Sequence, residues 1–216
     1  MPFYDELVTA TQAGRQDFIA TPVVQRALAG RVTREEYVDF LGQAFHHVRH
    51  TVPLLMACGS RLPDRLGWLR DAAAEYIDEE LGHERWILDD IAAADGDPAA
   101  AEHAGPMPAT ELMVAYAYHV IDRVNPVGFF GMVFVLEGMS VALATRAAEA
   151  IRDQLALPAG AFRYLTSHGA VDQQHVRFLE QLMNRVDHPS DRACVVHCAT
   201  RFYRLYGDIF NAISRQ

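Results

Sequence analysis

The chain has 216 residues, half of them hydrophobic, with 19 Lys and Arg against 28 Asp and Glu for a formal net charge of −9. That length and apolar content suffice for one sizeable core, so a single domain over residues 1–216 is expected. No dense basic cluster stands against the acidic background, which argues against nucleic acid and anionic membrane as partners. The opening Met-Pro-Phe-Tyr-Asp-Glu-Leu has no basic stretch leading into an apolar one, so a cytoplasmic chain is expected. Cysteines at 58, 194 and 198 form no disulfide framework, and Cys194 and Cys198, despite flanking His197, read as small buried residues because no partner pair exists for zinc.

Helical periodicity rich in Ala, Leu, Arg and Glu dominates, and alternating β-branched runs between hairpin turns are missing. The fold class is therefore all-α, with seven to eight helices. Thr21-Pro22 opens a short helix that Gly30 closes. Thr33-Arg-Glu-Glu36 is a capping box starting a helix to about Gly59, and Pro63-Asp64 opens the next, which ends near Gly96. The Gly/Pro/Ala stretch from 96 to 109 reads as a loop, followed by a helix near 110–124 and a break at Asn125-Pro126. A long apolar helix reaches residue 155, a segment spans about 161–186, and Pro189-Ser190 begins the last helix.

Between Val127 and Ala144 the only charge is Glu137, and the stretch is nearly long enough to span a bilayer. The mid-span acid, three glycines and the absence of a second such stretch point instead to a central core helix. Gly128, Gly131 and Gly138 allow close approach to its backbone. A carboxylate buried there needs a counter-charge or a cation.

His168, Asp172 and His175 are spaced i, i+4, i+7, which puts them within roughly 60° of arc on one helical face. Glu80-Leu-Gly-His83 and Asp172-Gln-Gln-His175 are acid-x-x-His pairs on separate helices, and Glu137 is a lone acid on a third. Dimetal sites in helical bundles use such pairs with single inward carboxylates. Three acids and three imidazoles suit two iron ions, or manganese, with coordination positions left open. His46, His47 and His50 form a further cluster, read with Tyr76 as candidate catalytic residues that line the pocket and steer substrate or protons. His103, His119, His188 and His197 read as loop, surface or core residues.

At these residues the chain resembles the heme-oxygenase-like superfamily, which includes thiaminase II and pyrroloquinoline-quinone synthase, and within it the heme-oxygenase-like diiron oxidases. Residues 30–41 look like the superfamily's early segment; Asp78-Glu-Glu-Leu-Gly-His83, Leu136-Glu-Gly138 and the His168/Asp172/His175 face look like the diiron branch's ligand motifs. The resemblance implies a helical bundle in which Glu80, His83, Glu137, His168, Asp172 and His175 bind two ferrous ions, with Glu79 as substitute for Glu80. It also implies dioxygen as cosubstrate and a small organic substrate of the amino acid, aliphatic acid or amine class. True heme oxygenases hold heme through a first-helix histidine; the matching position here is Arg15 and residues 1–45 contain no His, so no heme is expected. Thiaminases of this fold use a cysteine just after a mid-helix proline, where this chain has Val127. The rival readings are a metal-free oxidase or hydrolase of the same fold and a non-catalytic helical binding protein. The partners expected are the small-molecule substrate and, in a homodimer, a second copy of the chain.

Overall fold

A computed structural model describes the backbone of residues 1–213 and their side chains except those of 168–174. Among the described residues the structure is all-α, without a strand. Helices α1 (Phe3–Ala10) and α2 (Gln12–Ile19) meet at Thr11, and α3 (Pro22–Leu28) carries proline in its first turn, where a missing N–H costs nothing. In α4 (Arg34–Val48) the capping box forms: Glu36 N–H donates to the Thr33 hydroxyl at 3.1 Å and Thr33 N–H donates to the Glu36 carboxylate at 2.9 Å.

Three segments depart from the sequence reading. The helix expected to reach Gly59 stops at Val48 and restarts as α5 (Thr51–Arg61). Pro53 explains this, since in a continuous helix it would lack its N–H and its ring would press on the carbonyl of Arg49. The next helix, preceded by a tight turn at Asp64–Leu66, divides into α6 (Gly67–Glu80) and α7 (His83–Ala93). Leu81 is extended and Gly82 has φ of 87°, a left-handed conformation that glycine adopts without a Cβ clash. The expected 96–109 loop contains a short helix, α8 (Pro98–His103), because the Asp97 carboxylate accepts from the Ala99 and Ala100 amides, both at 3.0 Å.

Helix α9 (Pro108–His119) runs into a wider π turn at Val120–Val124 and stops at Asn125. The long α10 (Phe129–Leu155) follows, then α11 (Arg163–Arg185) and α12 (Pro189–Ile213). The stretch Pro126–Leu155 is long and apolar enough to cross a membrane by length and composition, but 61% of its most apolar window is buried inside the protein. It packs against α11 and α12 as the central core helix. A Cβ on Gly131 would come within 2.7 Å of Ala199 N and 2.8 Å of Val195 O, so glycine there permits α12's backbone to close in. Gly138 differs, with nothing among the described residues within 4 Å of where its Cβ would be.

Two buried acids fasten the helix ends. Asp191, fully buried at the start of α12, accepts from Arg65 at 2.6 and 3.2 Å and from the Asn125 side chain at 2.9 Å. Asp90, fully buried on α7, accepts from the Arg163 and Tyr164 amides at 3.0 and 2.8 Å, capping α11 from a neighbouring helix. Burial pushes the Asp90 carboxyl up to about 6 despite those two bonds.

Candidate metal centre

The break at Leu81–Gly82 sets the local geometry. It ends α6 at Glu80 and makes His83 the first residue of α7, and the two side chains turn toward each other with Nδ1 of His83 3.0 Å from Oε2 of Glu80. Both are largely buried, at 8% and 12% side-chain exposure. With Nδ1 engaged by the carboxylate, His83 presents Nε2 as its other coordinating atom. The His83 ring lies 4.0 Å from the Trp86 ring, whose face in turn carries the Arg163 guanidinium at 4.4 Å.

His175, 3% exposed, projects from α11 into the same region. Its Nε2 lies 2.7 Å from Oε2 of Glu79, and its Nδ1 lies 3.9 Å from Oε1 of Glu137. Glu79 and Glu80 are adjacent on α6, and consecutive helical positions point about 100° apart, so each reaches a different imidazole. Glu137 sits midway along α10 with 11% side-chain exposure. Tyr76, one turn before Glu80, packs its ring 5.4 Å from that of His175 at 68°. Burial and then the charge of Glu137 push its phenol far above the ordinary tyrosine range, with Glu79 and Glu80 adding to the effect. The hydroxyl therefore stays protonated beside three carboxylates. Ser140, one turn beyond Glu137, has a buried hydroxyl without a hydrogen-bond partner among the described residues.

An elongated cavity of about 190 Å³ opens beside this cluster. Its α10 wall extends from Phe129 to Ile151, about 33 Å of helix. Tyr76, Glu80, Glu137 and Ser140 supply polar groups to a lining that is otherwise mostly apolar, from Leu54, Met132, Leu136 and Met139 among others. His47 lines the same cavity farther along, its ring 6.0 Å from Tyr206.

Of the sequence-predicted residues, Tyr76, Glu80 and Glu137 line this cavity, with His83 paired to Glu80 and His175 beside Glu137 and Glu79. The side chains of His168 and Asp172 lie outside those described. The histidine cluster separates. Only His47 faces the cavity; buried His46 turns toward the backbone of Ala101 in α8, and His50 hydrogen-bonds with the Tyr118 hydroxyl at 3.2 Å. Neighbouring helical positions cannot share a face, and the chain break at Arg49 redirects His50. Burial, then the Arg49 charge, lowers the pKa of both His46 and His50. Cys194 and Cys198 lie apart from the site, with sulfurs 3.9 Å from one another. The Trp86 and Ser140 contributions were not anticipated, although each stands one turn from a named ligand candidate, at His83 and Glu137.

The donor set suits iron. Two imidazoles with the largely buried Glu80 and Glu137 and the half-exposed Glu79 occupy one region, where a cation would balance the acids' charge, and the N/O mixture is of the hard-to-borderline kind. Among the described residues the donors meet in contacting pairs and no three of them form a ready cage.

This helical architecture is that of a domain of unknown function with a heme oxygenase-like fold from Shewanella denitrificans, with a TM-score of 0.89 at 21% identity, covering 100% of this chain and 93% of that one. A TenA homologue from Pseudomonas syringae matches with a TM-score of 0.82 at 11% identity over 99% and 93% of the two chains. Heme oxygenase-1 from Synechocystis, solved in complex with heme, matches with a TM-score of 0.78 at 12% identity over 100% and 93%. The fold is thus heme-oxygenase-like. Residues 38–207 match the family model described as iron-containing redox enzyme, and the chain belongs to that family. No match was found among curated proteins.

Proposed function

We propose that this chain is a nonheme diiron oxidase or oxygenase that uses dioxygen to oxidise a small, partly apolar organic substrate. The observation that carries the reading is the meeting of Glu80 with His83, and of Glu79 and Glu137 with His175, beside an apolar cavity that Glu80 and Glu137 line. Glu80, His83, Glu137 and His175 would hold the metal, with Glu79 interchangeable with Glu80; His168 and Asp172, on the same α11 face by spacing, would complete the set. Bound as two ferrous ions, iron would supply the electrons for reducing dioxygen, chemistry that the side chains alone lack.

The chain's own residues do the rest. Glu80 and Glu137 place negative charge where a more oxidised metal gains from it. Tyr76 holds a proton on its hydroxyl beside Glu137, within the cluster where one would be delivered. Leu136, Met132 and Met139 exclude water and bind the apolar part of a substrate, and His47 with Tyr206 offers polar contacts farther along the cavity. The substrate classes considered are amino acids, aliphatic acids and amines. Anaerobic titration with ferrous ion followed by exposure to oxygen tests the reading. Two equivalents of iron and oxygen consumption stimulated by one of these classes are expected; a metal-free protein inert to oxygen after ferrous loading would refute it.

A further inference from the structure

A second cavity, of about 210 Å³, lies on the opposite flank of α10, where Gly138 has no described atom within 4 Å of its Cβ position. Its lining comes from parts of the chain that are far apart in sequence: Tyr4 and Val8 on α1, Arg15 on α2, Phe134 on α10, Val176 on α11 and Tyr203 on α12. Phe134 lies between the two tyrosines, with ring centroids 5.7 Å from Tyr4 and 6.4 Å from Tyr203, both edge-on. Gly14 lets α2 press against Tyr203, since a Cβ there would stand 3.1 Å from the Tyr203 Cβ, and this close approach brings the next residue, Arg15, to the cavity.

Arg15 is exposed and forms no ion pair among the described residues, and neither tyrosine hydroxyl has a hydrogen-bond partner among them. Tyr203 is only 3% exposed. Burial raises both phenols, that of Tyr203 to about 12, and the Arg15 charge is close enough to oppose the rise in each. Both hydroxyls are therefore protonated donors at neutral pH. One guanidinium and two phenols offer hydrogen-bond donors to a shared space whose other described lining residues, apart from Thr11, are apolar.

We propose that this cavity is a binding site for small monocarboxylates, the anionic end held by Arg15, Tyr4 and Tyr203 and the apolar body lying against Val8, Phe134 and Val176. Glu180 on α11, Glu137 on α10 and Asp5 on α1 are the opposing charges, each near enough to raise the Tyr4 phenol further, and none of the three lines the cavity. The cavity is distinct from the one beside the acid/imidazole cluster, although Met139 lines both and Glu137 acts on Tyr4 from across α10, and the proposal does not rest on the iron reading.

The test uses metal-free protein, so its failure and that of the iron reading are distinguishable. Calorimetric titration with hexanoate and with hexanol should show hexanoate binding at least about tenfold more tightly, because only the anion gains charge-assisted bonds. Arg15→Gln should weaken hexanoate about tenfold and leave hexanol unchanged, and Tyr203→Phe should weaken hexanoate by a smaller factor. Added salt should weaken the parent's hexanoate binding, since Arg15 is exposed. Arg15 is on the surface, so its variant tests binding without endangering the fold. No hexanoate binding, equal affinity for acid and alcohol, or an Arg15→Gln variant that binds hexanoate as the parent does would each overturn the proposal.

Discussion

Two buried acidic centres in this protein are built on opposite principles. Asp191 meets a guanidinium and an amide, and every distance is that of a hydrogen bond. Burial alone would raise its pKa, yet Arg65 and Asn125 bring it below the ordinary carboxylate range. Around Glu137 the neighbours are other acids, an imidazole and a phenol, and the Tyr76 phenol is pushed up by burial and then by that concentration of negative charge. The first centre is neutralised from within the chain and ties the start of α12 to the break before α10. The second gathers like charges on a cavity wall, an arrangement that gains most from a cation supplied from outside.

The largest expected effect separates the two directly. Glu137→Ala and His175→Ala should each lower ferrous affinity by more than about a hundredfold, because a site with open positions has few ligands to spare. Asp191→Ala should take up iron like the parent, measured by the same anaerobic titration. Equal iron uptake by all three variants would erase the distinction.

Stability should respond in the reverse order. Asp191→Ala removes the carboxylate shared by Asn125 and the half-exposed Arg65 and should cost about 1–2 kcal/mol, read as a fall in Tm of roughly 2–8 °C for a chain of this size. Glu137→Gln, measured without metal, should leave Tm unchanged or raise it, since it removes one charge from a crowded set. A Glu137→Gln variant that melts as early as Asp191→Ala would show that the second centre is also a structural fastening.

The smallest effect concerns pH and a third acid, Asp90. Its folded-state pKa of about 6 lies above its unfolded value, so the native state binds the extra proton. Its contribution to stability is fully present below the unfolded pKa of about 4 and is lost as pH rises through about 6. Asp191, with its pKa lowered, has the opposite sign: its contribution is present above the unfolded pKa and is lost as pH falls through the folded one. Denaturant melts from pH 4 to 7 should therefore be flatter for Asp90→Asn than for the parent. An unchanged profile would remove Asp90 from the account.

The all-α class and the cluster's main members were readable because chemistry made them rare. Glu137 stands alone in an apolar run, and His175 belongs to a spaced acid/imidazole face. The histidines at 46, 47 and 50 were readable as a cluster in sequence but not as one in space. That depended on Pro53 ending a helix that periodicity alone would continue, and on adjacent residues facing apart. The split at Gly82 was hidden for a related reason: a single glycine within an otherwise helical run marks a break only when the packing on either side demands a change of direction. The second cavity had no local signal at all, since Tyr4, Arg15 and Tyr203 become neighbours only when α1, α2 and α12 assemble.

The cap that Asp90 places on α11 has a mechanical side. The same helix, α7, begins with His83 and, about two turns later at Asp90, grips the first turn of the helix that carries His175. The two imidazole-bearing helices are thus hinged at a single carboxylate, and a tilt of one pulls on the leading end of the other. Any ligand that draws His83 inward works against a lever whose far arm ends at His175.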